Sequence, residues 1–559
     1  MKKLYTALFL VILIGYWTTA AAGDSHEPGR PNILLIVAED MSSRVGAFGD
    51  PLAQTAAIDE LASQGVSYTN VFTAAGVCSP SRAALITGVH PISTGTQHMR
   101  TSNYNYEAVP PAEVKAFPEL LRAAGYLTAN VAKTDYQFGD PFTIWDINAG
   151  SMAEPPDLAV WRQLPTGQPF FAMINLMSTH ESRLATPDTS EDGRFGALVK
   201  RFKESVAQVQ SVTDPDQVEV PPYYPDTPEV RKSIAQLYDN IHFMDGEVEQ
   251  ILANLKADGL ADNTLVIWTT DHGDGLPRAK RSVYDSGLKV PMIIRFPDGQ
   301  GKGSVQSRLI SFVDLAPTIL TLAGAEVPDF IQGRDFLGGP ERDYIYGSRD
   351  RMNETPDRVR AIRDERFEYI RNYQPELAYY FRPLEFRDMF PVMQELWKGH
   401  NEGSLSPQQE FYFTTPRPQE ELYDTQSDPY EIKNLADDPE YSTRLERLRK
   451  QMDQWLARVG DLSAQPERQM IESMWPDGKQ PTTEPPLAHI EHKNGSYRIT
   501  LTSETKGASI GYRLLDEDGE GDWKLYVGPI QLPENGKLEA KAIRYDFHES
   551  QVTLLTPNQ

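Results

Sequence analysis

Cysteine is nearly absent. A chain of 559 residues carries one, Cys78. No disulfide can form within the chain, and no cysteine lies near the N-terminus to carry a lipid anchor. A lone thiol in a protein of this size is either an inert buried residue or a chemically special one. Positive charge is also in short supply. Lys and Arg number 54 against 79 Asp and Glu, a net charge of −25, so bulk electrostatics excludes nucleic acid and anionic membranes as partners. An anionic substrate would need a local cationic pocket to overcome that field. Long apolar runs are missing too, apart from one at the N-terminus, and there is no long internal repeat or low-complexity tract.

That one run, from Leu4 to Trp17, follows Lys2 and Lys3 and precedes Ala20, Ala21 and Ala22. The layout is that of a secretory signal peptide over 1–22, with an apolar part short for a membrane span. The expected mature protein is periplasmic or secreted and free of the membrane after cleavage. Its net charge becomes −27 once Lys2 and Lys3 are gone. An apolar fraction of 40% over this length is ample for a large core and for two or three domains.

Short apolar runs alternate with helical patterns, which predicts an α/β domain with a largely parallel sheet. The strand candidates are 32–40, 66–72, 126–135, 170–180, 265–274 and 290–297. An amphipathic stretch from Pro228 to Ala257 feeds the strand at 265. Polar residues punctuate the carboxyl ends of these runs: Glu39 and Asp40, Lys133, His180, then Asp271 and His272. Ligands of open α/β sheets gather at such ends. The expected organisation is a catalytic α/β domain over 30–375, a smaller α+β C-terminal subdomain over 376–475, a Pro-rich link over 476–487, and a small all-β, sandwich-like module over 488–556.

The cysteine sits in "AAGVCSPSRAALITG", residues 74–88. The helix-forming "AALITG" places Cys78 at a helix N-terminus, where free N–H groups and the helix dipole favour an anion. Arg82, one turn on, can reach back to the same end. A nucleophile and an arginine at a helix start suit attack on an oxyanion ester.

C-x-P-S-R followed by A-A-L-I-T-G resembles the signature of type I, formylglycine-dependent sulfatases, and the resemblance runs over roughly residues 31–460. It implies an alkaline-phosphatase-like fold with a mixed, largely parallel sheet. It also implies that a formylglycine-generating enzyme oxidises Cys78 to an aldehyde, the catalytic group. Carried over position by position, Glu39, Asp40, Asp271, His272 and the modified Cys78 would hold one divalent cation, Ca²⁺ in the first place. Glu39 stands where Asp is commoner. His272 stands where Asn is frequent; a nitrogen ligand suits calcium poorly, which leaves His272 behind the ligands or the metal as Mn²⁺ or Mg²⁺. The family's G-K-x-H motif looks like "AKTD", making Lys133 the sulfate-binding lysine and Asp135 the replacement for its histidine, in contact with the diol or with Lys133. Its later histidine and lysine fit His180 and Lys280.

The resemblance implies a diol hydroxyl attacking sulfur, helped by Arg82, Lys133, Lys280 and the metal, with His180 as acid for the leaving alkoxide. Arg278, Lys280 and Arg281 form the basic patch that the negative field demands, with Arg278 contacting substrate. His98 and Arg100, in "TGTQHMRTSNY" (94–104), are expected at the rim to grip sugar carboxylates or hydroxyls. The tail resembles a chitobiase/β-hexosaminidase C-terminal module, which points to a sulfated polysaccharide or oligosaccharide, algal (ulvan for one) or glycosaminoglycan. Two alternatives are a phosphate or phosphonate ester hydrolase on the same scaffold and an inactive carbohydrate-binding protein.

Overall fold

A computed structural model describes residues 30–152, 154–184, 209–380, 387–493, 495–516 and 518–556. The expected signal peptide lies outside the described residues. The central sheet has nine strands: β1 (Asn32–Ala38), β2 (Val66–Phe72), β3 (Leu127–Val131), β4 (Ile147–Ala149), β5 (Phe170–Leu176), β6 (Thr264–Thr270), β7 (Lys289–Arg295), β8 (Ser304–Gln306) and β9 (Ile310–Ser311). Their order is β4-β3-β5-β1-β6-β7-β2-β8, with β9 also pairing with β2. Neighbours run parallel except at β7, which is antiparallel to both β6 and β2. The expected mixed, largely parallel sheet is the one that forms.

β1 shows why the strands read as unbroken apolar runs. Leu34, Ile36 and Ala38 enter one apolar layer, while Ile33, Leu35 and Val37 enter another. A strand buried on both faces has no polar side to alternate with. Helix α1 (Ala56–Gln64) and the 30-residue helix Pro228–Ala257 cover the first face. The long helix starts where the Thr227 hydroxyl accepts from the Val230 N–H at 3.3 Å, with Pro228 directly after the cap. Helix α2 (Cys78–Thr87), with helices Phe117–Ala123 and Leu315–Leu322, covers the second face.

The register aligns the functional edge. Ala38 is level with Leu176 of β5 and Thr270 of β6, so Glu39 and Asp271 are the first residues beyond the same carboxyl edge. Val131 of β3 pairs with Ile174, which brings Lys133 to that edge as well. The antiparallel β7 starts there, so the loop before it, carrying Lys280, returns to the same place.

A second sheet is antiparallel: β10 (Ile345–Arg349), β11 (Val359–Arg363), β12 (Phe367–Asn372) and β13 (Glu420–Asp424). Helix Ser442–Val459 packs on it through Leu445, Leu448, Met452 and Trp455. Three of its strands precede residue 376, the boundary expected between catalytic domain and subdomain, so this sheet runs across it. The change of composition near 375 marks a long aromatic connection between β12 and β13.

The tail folds as two antiparallel sheets of three and four strands closed on Ile499, Leu501, Ile530, Leu532 and Leu538. It is docked, not dangling. Lys115 Nζ donates to the Gly507 carbonyl at 2.8 Å and lies 2.6 Å from Ser509 Oγ, and the Tyr545 hydroxyl donates to Glu119 at 2.8 Å. The Tyr545 ring stacks on Phe138, so the tail braces the stretch of chain that carries Lys133 and Asp135.

Candidate active site

Cys78 is the first residue of α2, whose ten residues are all buried and whose start has no side-chain cap. The first N–H groups and the positive end of the helix dipole are therefore available at the thiol. Two glycines permit the tight approach around it. A Cβ on Gly76 would lie 2.1 Å from the Ser282 carbonyl oxygen, and one on Gly275 would lie 2.7 Å from Glu181 Cβ.

Cys78 Sγ lies 3.4 Å from His272 Nε2 and 3.8 Å from Asp40 Oδ1. His272 Nε2 is in turn 3.0 Å from Asp40 Oδ1 and 3.6 Å from Asp271 Oδ1. Arg82 and Lys133 each take one oxygen of Glu39, and Arg82 Nε lies 3.6 Å from Asp271 Oδ2. Lys280 Nζ is 2.5 Å from Asp40 Oδ2 and 3.0 Å from Glu181 Oε1. Ligand-type atoms of Glu39, Asp40, Cys78 and His180 lie within 4.8 Å of one another, as do those of Asp40, Cys78, Asp271 and His272. The structure thus gathers Glu39, Asp40, Cys78, Arg82, Lys133, His180, Asp271, His272 and Lys280 into one buried cage.

Asp135 stands at its side, with a left-handed φ of 56°. Its Oδ1 accepts from Ser79 Oγ at 2.6 Å and from Arg100 Nη1 at 2.6 Å, while its Oδ2 is 3.8 Å from Lys133 Nζ. The Arg100 side chain is 36% exposed and marks the outer end of this chain of contacts.

Burial alone would neutralise the acids, so the nearby cations decide which of them stay charged. At Glu39 burial is outweighed by Arg82 and Lys133, and the carboxyl sits well below its usual range. At Asp40 burial is outweighed by Lys280 and the two histidines. The Cys78 thiol obeys the same rule: burial opposes ionisation, but Lys133 and Lys280 bring it well below the ordinary thiol range. Asp271 goes the other way, pushed well up by burial and by the Glu39 charge. Its Oδ2 is buried with no hydrogen-bond partner. An oxygen lacking a donor, beside two further carboxylates, is what a hard cation would satisfy. The donor set fits a divalent metal.

Two expected substrate contacts lie elsewhere. Arg278 is 3% exposed and donates to the carbonyls of Tyr430 and Glu431 at 2.7 Å each, with its guanidinium over the Tyr284 ring. It locks the loop to the second subdomain and offers nothing to a substrate. His98 is 6% exposed, and its Nδ1 accepts from the Arg351 N–H at 3.3 Å, so it is packed under the rim. Sequence reasoning also missed Asn175 and Glu181. Asn175 Oδ1 accepts from Arg82 Nη1 at 2.8 Å, and its amide donates to the carbonyls of Val131 and Lys133 at 2.7 and 3.0 Å. The signal for it was an asparagine inside the apolar run of β5. The Glu181 N–H donates to Asp40 Oδ2 at 2.7 Å, and its carboxylate holds Lys280 and Arg281. Its position directly after His180 was the only hint.

Residues 31–325 match the family model described as Sulfatase, and residues 278–381 the one described as N-sulphoglucosamine sulphohydrolase, C-terminal. A curated ulvan-active sulfatase of Formosa agariphila is 41% identical over 552 residues, covering 94% of this chain and 91% of that protein. This chain belongs to the sulfatase family. The human N-sulphoglucosamine sulphohydrolase is 27% identical over 466 residues, 76% of this sulfatase and 90% of that protein. A solved structure of a protein in complex with its substrate D-glucosamine-2-N,6-O-disulfate shares the fold, with a TM-score of 0.56 at 19% identity over 77% of this sulfatase and 98% of that chain. The fold is the alkaline-phosphatase-like one, and the sulfatase is a sulfuric ester hydrolase. Among the described residues no helix is long and apolar enough to cross a membrane.

Proposed function

We propose that this sulfatase is an exported enzyme that hydrolyses sulfate esters of a sulfated polysaccharide or its oligosaccharides. The catalytic group is a formylglycine made from Cys78 by a formylglycine-generating enzyme, aided by one divalent cation, with Ca²⁺ ahead of Mn²⁺ or Mg²⁺. The observation that carries the reading is the buried Cys78 at an uncapped helix start, enclosed by Arg82, Lys133 and Lys280 and by three carboxyls. Glu39, Asp40, Asp271 and His272 would hold the metal, and Asp271 Oδ2 is the oxygen in want of it. When present, the formylglycine supplies a hydrated aldehyde and the cation a Lewis acid for the sulfate oxygens.

The chain's own residues do the rest. Arg82, Lys133 and Lys280 bind the sulfuryl oxygens and offset the charge that grows there as the S–O bond breaks. Glu39 keeps Arg82 and Lys133 side by side and so sets the spacing of the oxygens they grip. His180, with Nδ1 2.8 Å from Ser182 Oγ, hands a proton to the leaving alkoxide. Asp135 accepts a hydroxyl hydrogen bond beside Lys133, and Arg100 meets the sugar at the rim. The relatives named for ulvan and for N-sulphoglucosamine support a carbohydrate sulfate as substrate. The tail, read as a chitobiase-like module, serves this reading by bracing the Lys133–Asp135 segment.

Peptide mass spectrometry over residues 74–88 of natively matured protein, with sulfate release from ulvan and glycosaminoglycan oligosaccharides, tests this directly. An aldehyde in place of the thiol, with sulfate released, is the expected result. An intact thiol in natively matured protein overturns it.

A further inference from the structure

A pocket adjoins the Cys78 cage, lined by Glu181, Lys280, Arg281, Arg349, Tyr380 and Arg387 among others. Lys280 belongs to both places, since its Nζ also touches Asp40. Whatever fills the pocket therefore sits next to a sulfate held in the cage.

The charges lining the pocket do not cancel. Glu181 is shared by Lys280 and by Arg281, whose guanidinium reaches both its oxygens at 2.8 and 2.6 Å. Arg387 is matched by Asp388 at 2.8 Å. Arg349, on the last residue of β10, is different. Among the described residues the carboxylate close to it is Asp357, and Arg417 already holds both oxygens of that group. Arg349 Nε lies 3.3 Å from Asp357 Oδ2 but makes no hydrogen bond, although the residue is only 6% exposed. Two guanidinium groups thus share one carboxylate. In a chain of net charge −25, a nearly buried arginine with a spare donor beside a cationic pocket is an expense that folding alone does not require. A planar guanidinium fork is suited to an oxyanion.

We propose that this pocket is a subsite for a second oxyanion of the substrate, a carboxylate or a second sulfate on the sugar chain that carries the scissile ester. Arg349 is its principal ligand and Arg281 completes it. The inference rests on the carbohydrate reading above and deepens it: the preferred substrate is a polyanion, recognised at two charged points. It gives the second subdomain a role in specificity, because β10 supplies the arginine.

The test compares three sulfated disaccharides on the natively matured enzyme: one with a uronate carboxylate, its carboxyl-reduced counterpart, and one with a second sulfate in place of the carboxylate. The expected wild-type preference for a dianionic substrate is at least about tenfold in kcat/KM, carried by KM. Which dianion shows it identifies the oxyanion. Arg349→Gln brings that ratio toward one, and Arg349→Lys retains part of it. Equal kcat/KM for all three substrates in the wild type, a comparison that needs no variant, overturns the subsite and leaves the sulfatase reading intact. So does a ratio that Arg349→Gln leaves unchanged. Release of no sulfate from any carbohydrate overturns the reading above, and the subsite falls with it.

Discussion

Two groups of three carboxyls stand out among the described residues, all buried except the half-buried Asp285, and their cations are placed differently. In the first, Glu39, Asp40 and Asp271 are interleaved with Arg82, Lys133 and Lys280. In the second, oxygens of Asp285, Glu368 and Glu431 lie within 4.8 Å of one another, and the Arg363 guanidinium bound there engages only Asp285, at 2.7 and 3.0 Å. Both oxygens of Glu368 and Oε1 of Glu431 have no donor. Burial then decides the outcome, pushing Glu431 up to about 7 and Glu368 well above the usual range. For buried acids, the placement of cations determines which of them stay charged. In the catalytic cage the cations hold Glu39 and Asp40 charged, while Asp271, whose Oδ2 has no donor, is pushed up; the same cations are the groups proposed to receive sulfate. In the second trio Asp285 pairs with Arg363 while Glu368 and Glu431 are pushed toward the neutral form, and the trio joins the Lys280 loop to the second sheet.

The comparison can be broken from either side. The largest effect is expected at the centre of the first group. Cys78→Ala leaves the cage but removes the nucleophile, and sulfate release falls at least about a thousandfold; activity within tenfold of wild type would sink the assignment. Arg82→Met strips Glu39 of one of its two partners. Breaking a buried pair on one side costs about 3–5 kcal/mol, measured by denaturant unfolding in metal-free buffer, and a loss below about 1 kcal/mol would show that Lys133 alone suffices.

The second group responds to pH in the opposite sense. With its folded pKa raised to about 7, Glu431 binds a proton more tightly folded than unfolded. Stability is therefore full below the unfolded carboxyl range, near about 4.3, and is lost as pH rises toward 7. Glu431→Gln removes that loss, so the variant's unfolding curve gains about 1–3 kcal/mol on wild type between pH 5 and pH 8. Parallel curves would refute the raised pKa. The smallest effect belongs to an exposed pair: Arg449→Gln, which gives up the 2.7 Å contact of its Nε with Glu420, changes unfolding by less than about 1 kcal/mol. A larger change there would mean that depth does not separate these pairs.

Much of the cage was legible because its residues sit at the ends of apolar runs. Strands covered on both faces appear in sequence as continuous hydrophobic stretches, so the polar residue that ends each run stands out: Glu39, Lys133, His180, Asp271. The helix start at Cys78 was legible from the helix-forming residues Ala83 to Thr87 beyond it. The residues that escaped notice are those whose role is to position others. Asn175 is one polar residue inside a buried strand, and its partner Arg82 is 93 positions away. Arg278 and His98 misled for the reverse reason: a basic run and a polar loop look solvent-facing until the aromatic rings and backbone carbonyls that bury them are in place. The composition changes near 375, within the connection from β12 to β13, whereas the pairing of the second sheet begins at β10, which only the register shows.

By itself the sequence determined the chemistry available: one thiol at a helix start, strand-end acids and bases, a basic loop, and an acidic chain that requires a local cationic pocket. Only the tertiary structure decided who pairs with whom. Lys280 and Asp40 lie 240 positions apart, and nothing local selects that contact over Arg278 turning inward instead. The parallel register of β1, β5 and β6, with β7 returning to the same edge, does so, because it brings three separate loops to one place where burial makes unmatched charge too costly to tolerate.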